Sequence, residues 1–239
     1  MSDSPAFADW EPIYEAILAD FGFDRTADER ARDVAASFAT PFDHDRLAAL
    51  IGGSVAIVGA APSLAAELAA FDPAGVDAVV AASTAADVLS DADIPVDLMV
   101  TDLDKNVSTA RELTHAGTPV AAHAHGDNIP AVREWLPKFD SQQTLVTTQA
   151  APRDAVEHFG GFTDGDRAAF IADAFGASEL RFLGWAFDDP AVGPMKARKL
   201  RWAEHLLYWL ERRRGDRFGV LDGRRESLTT DLTTVSTDG

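Results

Sequence analysis

After Gly52-Gly53 the chain settles into short apolar runs separated by segments of helical spacing; the runs fall at 54–59, 76–82, 97–101, 119–123, 144–148 and 180–185. Strands apolar along their whole length are buried on both faces, and strands that alternate with helices cross over between parallel neighbours. The pattern predicts an α/β fold: a mostly parallel, Rossmann-like sheet with helices on both faces. In such sheets ligands sit in the crevice beyond the carboxyl ends of the strands. The loops that follow these six runs are therefore where chemistry is to be sought.

Residues 1–52 read differently. Trp10, Ile13, Tyr14, Ile17, Leu18 and Phe21 recur at helical spacing behind a cap at Asp9, and Ala27, Ala31, Val34, Ala35 and Phe38 form a second apolar face. An N-terminal helical region (1–52) is expected to precede the α/β catalytic domain (53–221), and the polar, Thr-rich stretch 222–239 reads as a flexible tail. With 239 residues and 46% hydrophobic content the chain can bury one substantial core. Met1-Ser2-Asp3-Ser4 is followed by no apolar signal region, and no run reaches the ~20 apolar residues of a membrane span, so a soluble, cytoplasmic protein without membrane contact is expected. The lack of cysteine excludes disulfides, thiolate metal sites and thiol nucleophiles.

Charge supplies a second exclusion. The chain carries 39 acidic against 21 basic residues, net −18, and only Lys105, Lys138, Lys196 and Lys199 are lysines. Such a surface repels nucleic acid. Abundant acid with scarce lysine suits a salt-rich cytoplasm, where screening over about 3 Å at 1 M salt removes most self-repulsion. A halophilic source is expected on this ground, and a lone surface Asp becomes weak evidence for a site.

Against that background, groups of residues at strand ends stand out. Asp102 and Asp104 flank Leu103 at the end of the third run, and two carboxylates this close are costly unless a cation neutralises them. Mg²⁺ takes one or two carboxylates together with phosphate oxygens and water, so the pair suits a metal–nucleotide complex; a solvated acidic turn is the plain alternative. His123-Ala124-His125-Gly126-Asp127-Asn128 closes the fourth run, with both histidines on one side if the strand persists. Gly126 permits a turn that brings Asp127 and Asn128 toward the acidic pair. Gly59, Pro62 and Ser63 after the first run suit a tight turn into a helix whose free N–H groups could cradle phosphate, or an ordinary strand-to-helix turn. Gln149 ends the fifth run with an amide able to read a heterocycle edge. Gly160 to Arg167 precedes a helix at 168–175, with Thr163 or Asp164 as its cap and Arg167 offering a fork for phosphate. Finally Lys196, Arg198, Lys199 and Arg201 open a helix whose Trp202, Leu206, Trp209 and Leu210 face inward, leaving cations for a polyphosphate or for the protein's own acids. Trp185, Trp202 and Trp209 are assigned to packing.

Taken together, Asp97 to Asp104, His123 to Asn128, Gly161 to Ala168 and the helix bearing Lys196 and Lys199 resemble the archaeal 6-hydroxymethyl-7,8-dihydropterin pyrophosphokinase family, MptE-like, over roughly residues 54–210. The resemblance implies a fold like the thiamine pyrophosphokinase catalytic domain. It also implies transfer of diphosphate from ATP to a pterin hydroxymethyl group with Mg²⁺, releasing AMP; the sequence leaves a homo-oligomer open. On that footing Asp102, Asp104 and Asp127 would hold the metal, with His125 assisting proton transfer. Gly59, Pro62, Ser63, Arg167, Lys196 and Lys199 would meet the nucleotide. His123, Asn128, Gln149, Asp164 and Asp166 would meet the pterin. Lys105 stands where glycine is expected after the acidic pair, and Ala60-Ala61 replace a more glycine-rich turn. Three other readings compete: a haloacid-dehalogenase-type phosphatase using Asp102 with Asp188-Asp189, a thiamine diphosphokinase, and a non-catalytic nucleotide-binding module.

Overall fold

The computed structural model describes residues 6–237; the remaining residues at either end, 1–5 and 238–239, lie outside the described residues. Six parallel strands form one sheet in the order β5-β4-β3-β2-β1-β6. They are β1 (Ser54–Val58), β2 (Ala78–Ala82), β3 (Leu98–Thr101), β4 (Val120–Ala124), β5 (Thr144–Thr148) and β6 (Glu179–Leu183). Each lies within two residues of its predicted run. The side-chain period of two sends Val55, Ile57, Val80, Leu98, Val100 and Leu145 to one face, and Ala56, Val58, Val79, Met99, Val120 and Val146 to the other. With apolar residues on both sides, each strand must be covered twice.

The covering helices divide accordingly. Against the first face pack α1 (Phe7–Phe21), α3 (His44–Ile51), α8 (Asp164–Ala174) and α9 (Pro194–Arg214). Against the second pack α2 (Arg25–Ala36), α4 (Leu64–Leu68), α5 (Ala85–Asp91), α6 (Val107–Ala116) and α7 (Ile129–Trp135). The chain winds outward from β1 to β5, then α8 returns it across the sheet to β6 on the far side of β1. The switch point between β1 and β6 opens a crevice at the carboxyl edge. Among the described residues no helix is long and apolar enough to cross a membrane.

The N-terminal helices join this core. Trp10, Tyr14 and Ile17 of α1 are fully buried beside Phe170 of α8 and Trp202 of α9. Asp9 lies inside the first turn and caps nothing; α1 begins at Phe7 behind Ala6. Phe38 also departs from the expected apolar face, because α2 ends at Ala36 and leaves that ring exposed.

Residues 222–237 are anchored at a few points, contrary to the expected loose tail. Leu232 is buried, Arg225 forks onto Glu211, and the backbone N–H of Thr237 donates to Asp20 at 3.0 Å. Sparse apolar anchors and buried ion pairs order a segment whose composition is polar.

Candidate active site

The Asp102-Leu103-Asp104 turn is built around its middle residue. Leu103 is buried in the core of the second face and adopts a left-handed backbone, φ 65°, steadied by the Thr101 hydroxyl accepting its N–H at 3.0 Å. Turning Leu103 inward leaves the two flanking carboxylates at the mouth of the sheet. There Asp104 N–H donates to Asp102 Oδ1 at 3.2 Å.

Two adjoining cavities open at this edge. The larger, about 620 Å³, is lined by Gly59, Ser83, Asp102, Asp104, Thr163, Asp164, Trp185, Lys196 and Lys199, among others, from the ends of β1, β2, β3 and β6 and the starts of α8 and α9. The smaller, about 220 Å³, is lined by residues including Phe23, Asp28, Asp102, His125, Asp127, Gln149, Phe162, Arg167 and Lys199. Asp102, Phe162 and Lys199 belong to both linings.

The electrostatics separate the two acids. Burial opposes charge on Asp102, yet the adjoining His125 and Asp104 and the positive Arg167 outweigh it, and its carboxyl is held well below the usual range. His125 Nε2 stands 3.8 Å from Asp102 Oδ2. Asp104 is pushed up, by burial first and then by its neighbour Asp102. Asp164 rises to about 8 because it is buried and faces the negative Asp102, although Arg167 Nη1 donates to it at 3.0 Å. A concentration of hard oxygen donors that resist sharing charge is chemically matched to a small divalent cation.

Several predicted residues take other roles. Asp127 is exposed and lines the smaller cavity with Asp102; among the described residues no three His, Cys, Asp or Glu side chains converge into a metal cage. Asn128 is consumed as a clip: its amide donates to Asp102 O at 2.6 Å and His123 O at 2.7 Å, and its carbonyl oxygen accepts from His125 N at 3.0 Å. It ties the end of β3 to that of β4 instead of facing a ligand. Asp166 caps α8, accepting from Phe162 N at 2.5 Å and Thr163 N at 2.8 Å, and is fully buried. The helix it caps starts at Asp164, a turn earlier than expected.

His123 and His125 share a side, with ring centroids 6.2 Å apart. His123 is fully buried, its Nδ1 lies 3.0 Å from Thr147 Oγ1, and burial and then Arg167 hold it well below the ordinary range, so it stays neutral behind the site and lines neither cavity. Gln149 reaches the smaller cavity while donating to Asp28 at 2.7 Å.

At the other end of the crevice, Gly59 is required by a backbone approach. Its N–H donates to Leu183 O, Ala61 N–H donates to Gly184 O, and a Cβ on Gly59 would stand 2.6 Å from Gly184 O. Those two N–H groups stitch β1 to β6 and are not free to cradle phosphate; Pro62 and Ser63 are exposed outside both linings. The cations of α9 split by face: Arg198 and Arg201 turn to Asp20 and Thr237, while Lys196 and Lys199 line the larger cavity. Trp202 packs as expected, but Trp185 forms a wall of the larger cavity, held by its Nε1 donating to Ile57 O at 3.0 Å. Of the acidic pair that a phosphatase would use, Asp188 is ion-paired with Arg224 and lines neither cavity, while Asp189 lines the larger.

Asp28 and Phe23 were missed by sequence reasoning. Asp28 sits at three and seven residues before Ala31 and Ala35, an acid on the buried stripe of α2, and that misplaced charge was its signal.

An all-parallel sheet whose carboxyl edge holds a two-chambered, acid- and lysine-lined crevice defines an α/β protein with its candidate site at that edge. Residues 36–190 match the family model described as 6-hydroxymethylpterin diphosphokinase MptE-like. Three relatives are named 6-hydroxymethyl-7,8-dihydropterin pyrophosphokinase. That of Methanothermobacter thermautotrophicus is 36% identical over 225 residues, covering 85% of this chain and 94% of the relative. That of Pyrococcus furiosus is 34% identical, covering 85% and 93%, and that of Methanocaldococcus jannaschii 30%, covering 85% and 95%. The chain belongs to the MptE-like 6-hydroxymethylpterin diphosphokinase family.

Proposed function

We propose that this protein transfers diphosphate from ATP to the hydroxymethyl group of 6-hydroxymethyl-7,8-dihydropterin, releasing AMP. The observation that carries the reading is the position of Asp102 on the shared wall of two cavities, the larger of which also holds Asp104, Lys196 and Lys199. One chamber suits a polyphosphate and the other a small ring, with the acid pair where the two would meet. The relatives' names supply the reaction class.

In this reading the hydroxymethyl oxygen attacks the β-phosphorus of ATP in line, the bond to the oxygen bridging the α- and β-phosphorus breaks, and that oxygen leaves with AMP. Little covalent work falls to the protein; positioning and charge neutralisation dominate. Asp102 and Asp104 would hold Mg²⁺, and their donor set fits it: two carboxylates, with phosphate oxygens and water completing the shell. The bound ion would neutralise the phosphate oxygens and the mutual repulsion of the two acids. Lys196 and Lys199 counter the remaining phosphate charge. His125, beside Asp102 at the smaller cavity, receives the hydroxyl proton.

The test is AMP release from ATP and Mg²⁺, assayed in molar salt because of the net charge of −18, with hydroxymethyl-dihydropterin, thiamine or no acceptor. AMP should form with the pterin alone, and Asp102→Asn should abolish it while the variant remains folded. AMP formed with thiamine alone, or undiminished turnover in that variant, overturns the reading.

A further inference from the structure

The smaller cavity contains groups that phosphoryl transfer leaves without employment. Its walls include two aromatic rings, Phe23 and Phe162, each packed on Phe21 with ring centroids 5.2 and 5.1 Å away. At about 220 Å³ it holds one bicyclic ring and not a nucleoside triphosphate. Asp28 lies 4% exposed in its lining. Three donors fix that carboxyl: Tyr14 Oη at 2.8 Å and Gln149 Nε2 at 2.7 Å on Oδ2, and Gly126 N at 2.7 Å on Oδ1. A carboxylate oxygen accepts two hydrogen bonds, so Oδ1 retains capacity for a further donor.

Across the same cavity Arg167 is 3% exposed; its Nη1 and Nη2 donate to Asp164 and Phe162 O, both at 3.0 Å, while its Nε–H has no partner. A buried, unpaired donor on a cationic side chain is costly, and proteins tolerate it where a ligand completes the bond. An oriented carboxylate acceptor and an orphaned donor, between aromatic walls, are complementary to a flat ring that carries an N–H donor and a carbonyl on one edge. The 2-amino-4-oxo edge of a pterin has that order.

We infer that the smaller cavity is the acceptor-ring site, in which the free position on Asp28 Oδ1 receives the 2-amino group, and Arg167 Nε–H meets the ring carbonyl. The assignment rests on the diphosphotransfer reading, since it makes Asp102 the point where the ring's exocyclic arm meets the nucleotide chamber. Asp28 is thereby a specificity residue, and Tyr14, Gln149 and Gly126 position it.

The experiment measures binding of 6-hydroxymethylpterin and of lumazine, which replaces the 2-amino group by a carbonyl, to the wild-type chain and to Asp28→Asn. Wild type should bind the pterin at least about tenfold more tightly than lumazine, as expected of a site built around a substrate N–H. Asp28→Asn should lose at least about tenfold in pterin affinity, and raise the KM for hydroxymethyl-dihydropterin similarly, with ATP affinity retained. Should Asp28→Asn fail to fold, the wild-type comparison decides, because equal binding of pterin and lumazine overturns the inference by itself. An unchanged KM in a folded variant overturns it while leaving diphosphotransfer standing. Failure of the wild type to form AMP with any pterin sinks the functional reading, and this inference with it.

Discussion

The sharpest prediction concerns Asp164→Asn. Asp164 has a side chain 13% exposed, and burial with the nearby Asp102 charge raises it to about 8 from an ordinary value of 3.8. The folded protein therefore holds a proton there that the unfolded chain releases near pH 4. Between these two values the native state binds more protons than the unfolded state, so this group's contribution to stability is complete at low pH and declines as pH rises. The slope is about 1.4 kcal/mol per pH unit, with a ceiling on the order of 5 kcal/mol across the whole window. Asparagine matches the protonated acid in shape and cannot ionise. The variant and wild type should agree at about pH 4 and below and diverge above it, the variant melting higher by roughly 3–6 °C per pH unit for a domain of this size. Differential scanning fluorimetry from pH 5 to 9 at fixed molar salt reads this directly. Curves that stay parallel throughout would refute the reasoning, because they would mean that Arg167 keeps Asp164 ionised at every pH.

Other substitutions probe the frame. Gly184→Ala places a side chain at φ 68° against the backbone of Gly59, and should cost roughly 2–3 kcal/mol in urea unfolding while weakening nucleotide binding in the larger cavity. Asn128→Ala removes three hydrogen bonds, one of which clips the end of β3 to that of β4; about 2–3 kcal/mol of stability should be lost, with kcat falling more than ATP affinity. Leu232→Ala should destabilise by about 2–4 kcal/mol, an effect that a loose tail would not produce in the same unfolding measurement.

Legibility in the sequence tracked the range of the interactions involved. The six strands could be read because burial on both faces leaves an uninterrupted apolar run, a local signal. The carboxyl edge followed from topology, and Asp102, Asp104, Lys196 and Lys199 do gather there. What escaped was the use of polar groups. Asn128 and Asp166 look like ligand contacts because they are polar at loop ends, yet the loops themselves need those hydrogen bonds, and a sequence does not reveal which backbone donors stand unpaired. Asp28 is the converse case: an acid in the N-terminal helices, 121 residues from its Gln149 partner, becomes part of the site only through long-range packing. The C-terminal segment misled through composition, since Leu232 and the Arg225–Glu211 pair order a stretch that is polar on average.

Among 39 acids, the backbone singles out Asp102 and Asp104 independently of charge. Five non-glycine residues among those described have positive φ, and three of them, Ser83, Leu103 and Asn106, cluster where β2 and β3 end. Each costs on the order of 1 kcal/mol relative to a relaxed turn, so all three persist only where the surroundings over-determine them. Leu103 is held by its buried side chain, and Asn106 is tied to Ser83 by its Nδ2 donating to Ser83 O at 3.2 Å. A solvated acidic turn has no reason to store that strain, because water would accept the relaxed conformation equally well. Strain concentrated beneath two carboxylates, one driven toward its charged form and the other away from it, marks this turn as held by its surroundings and not by solvation.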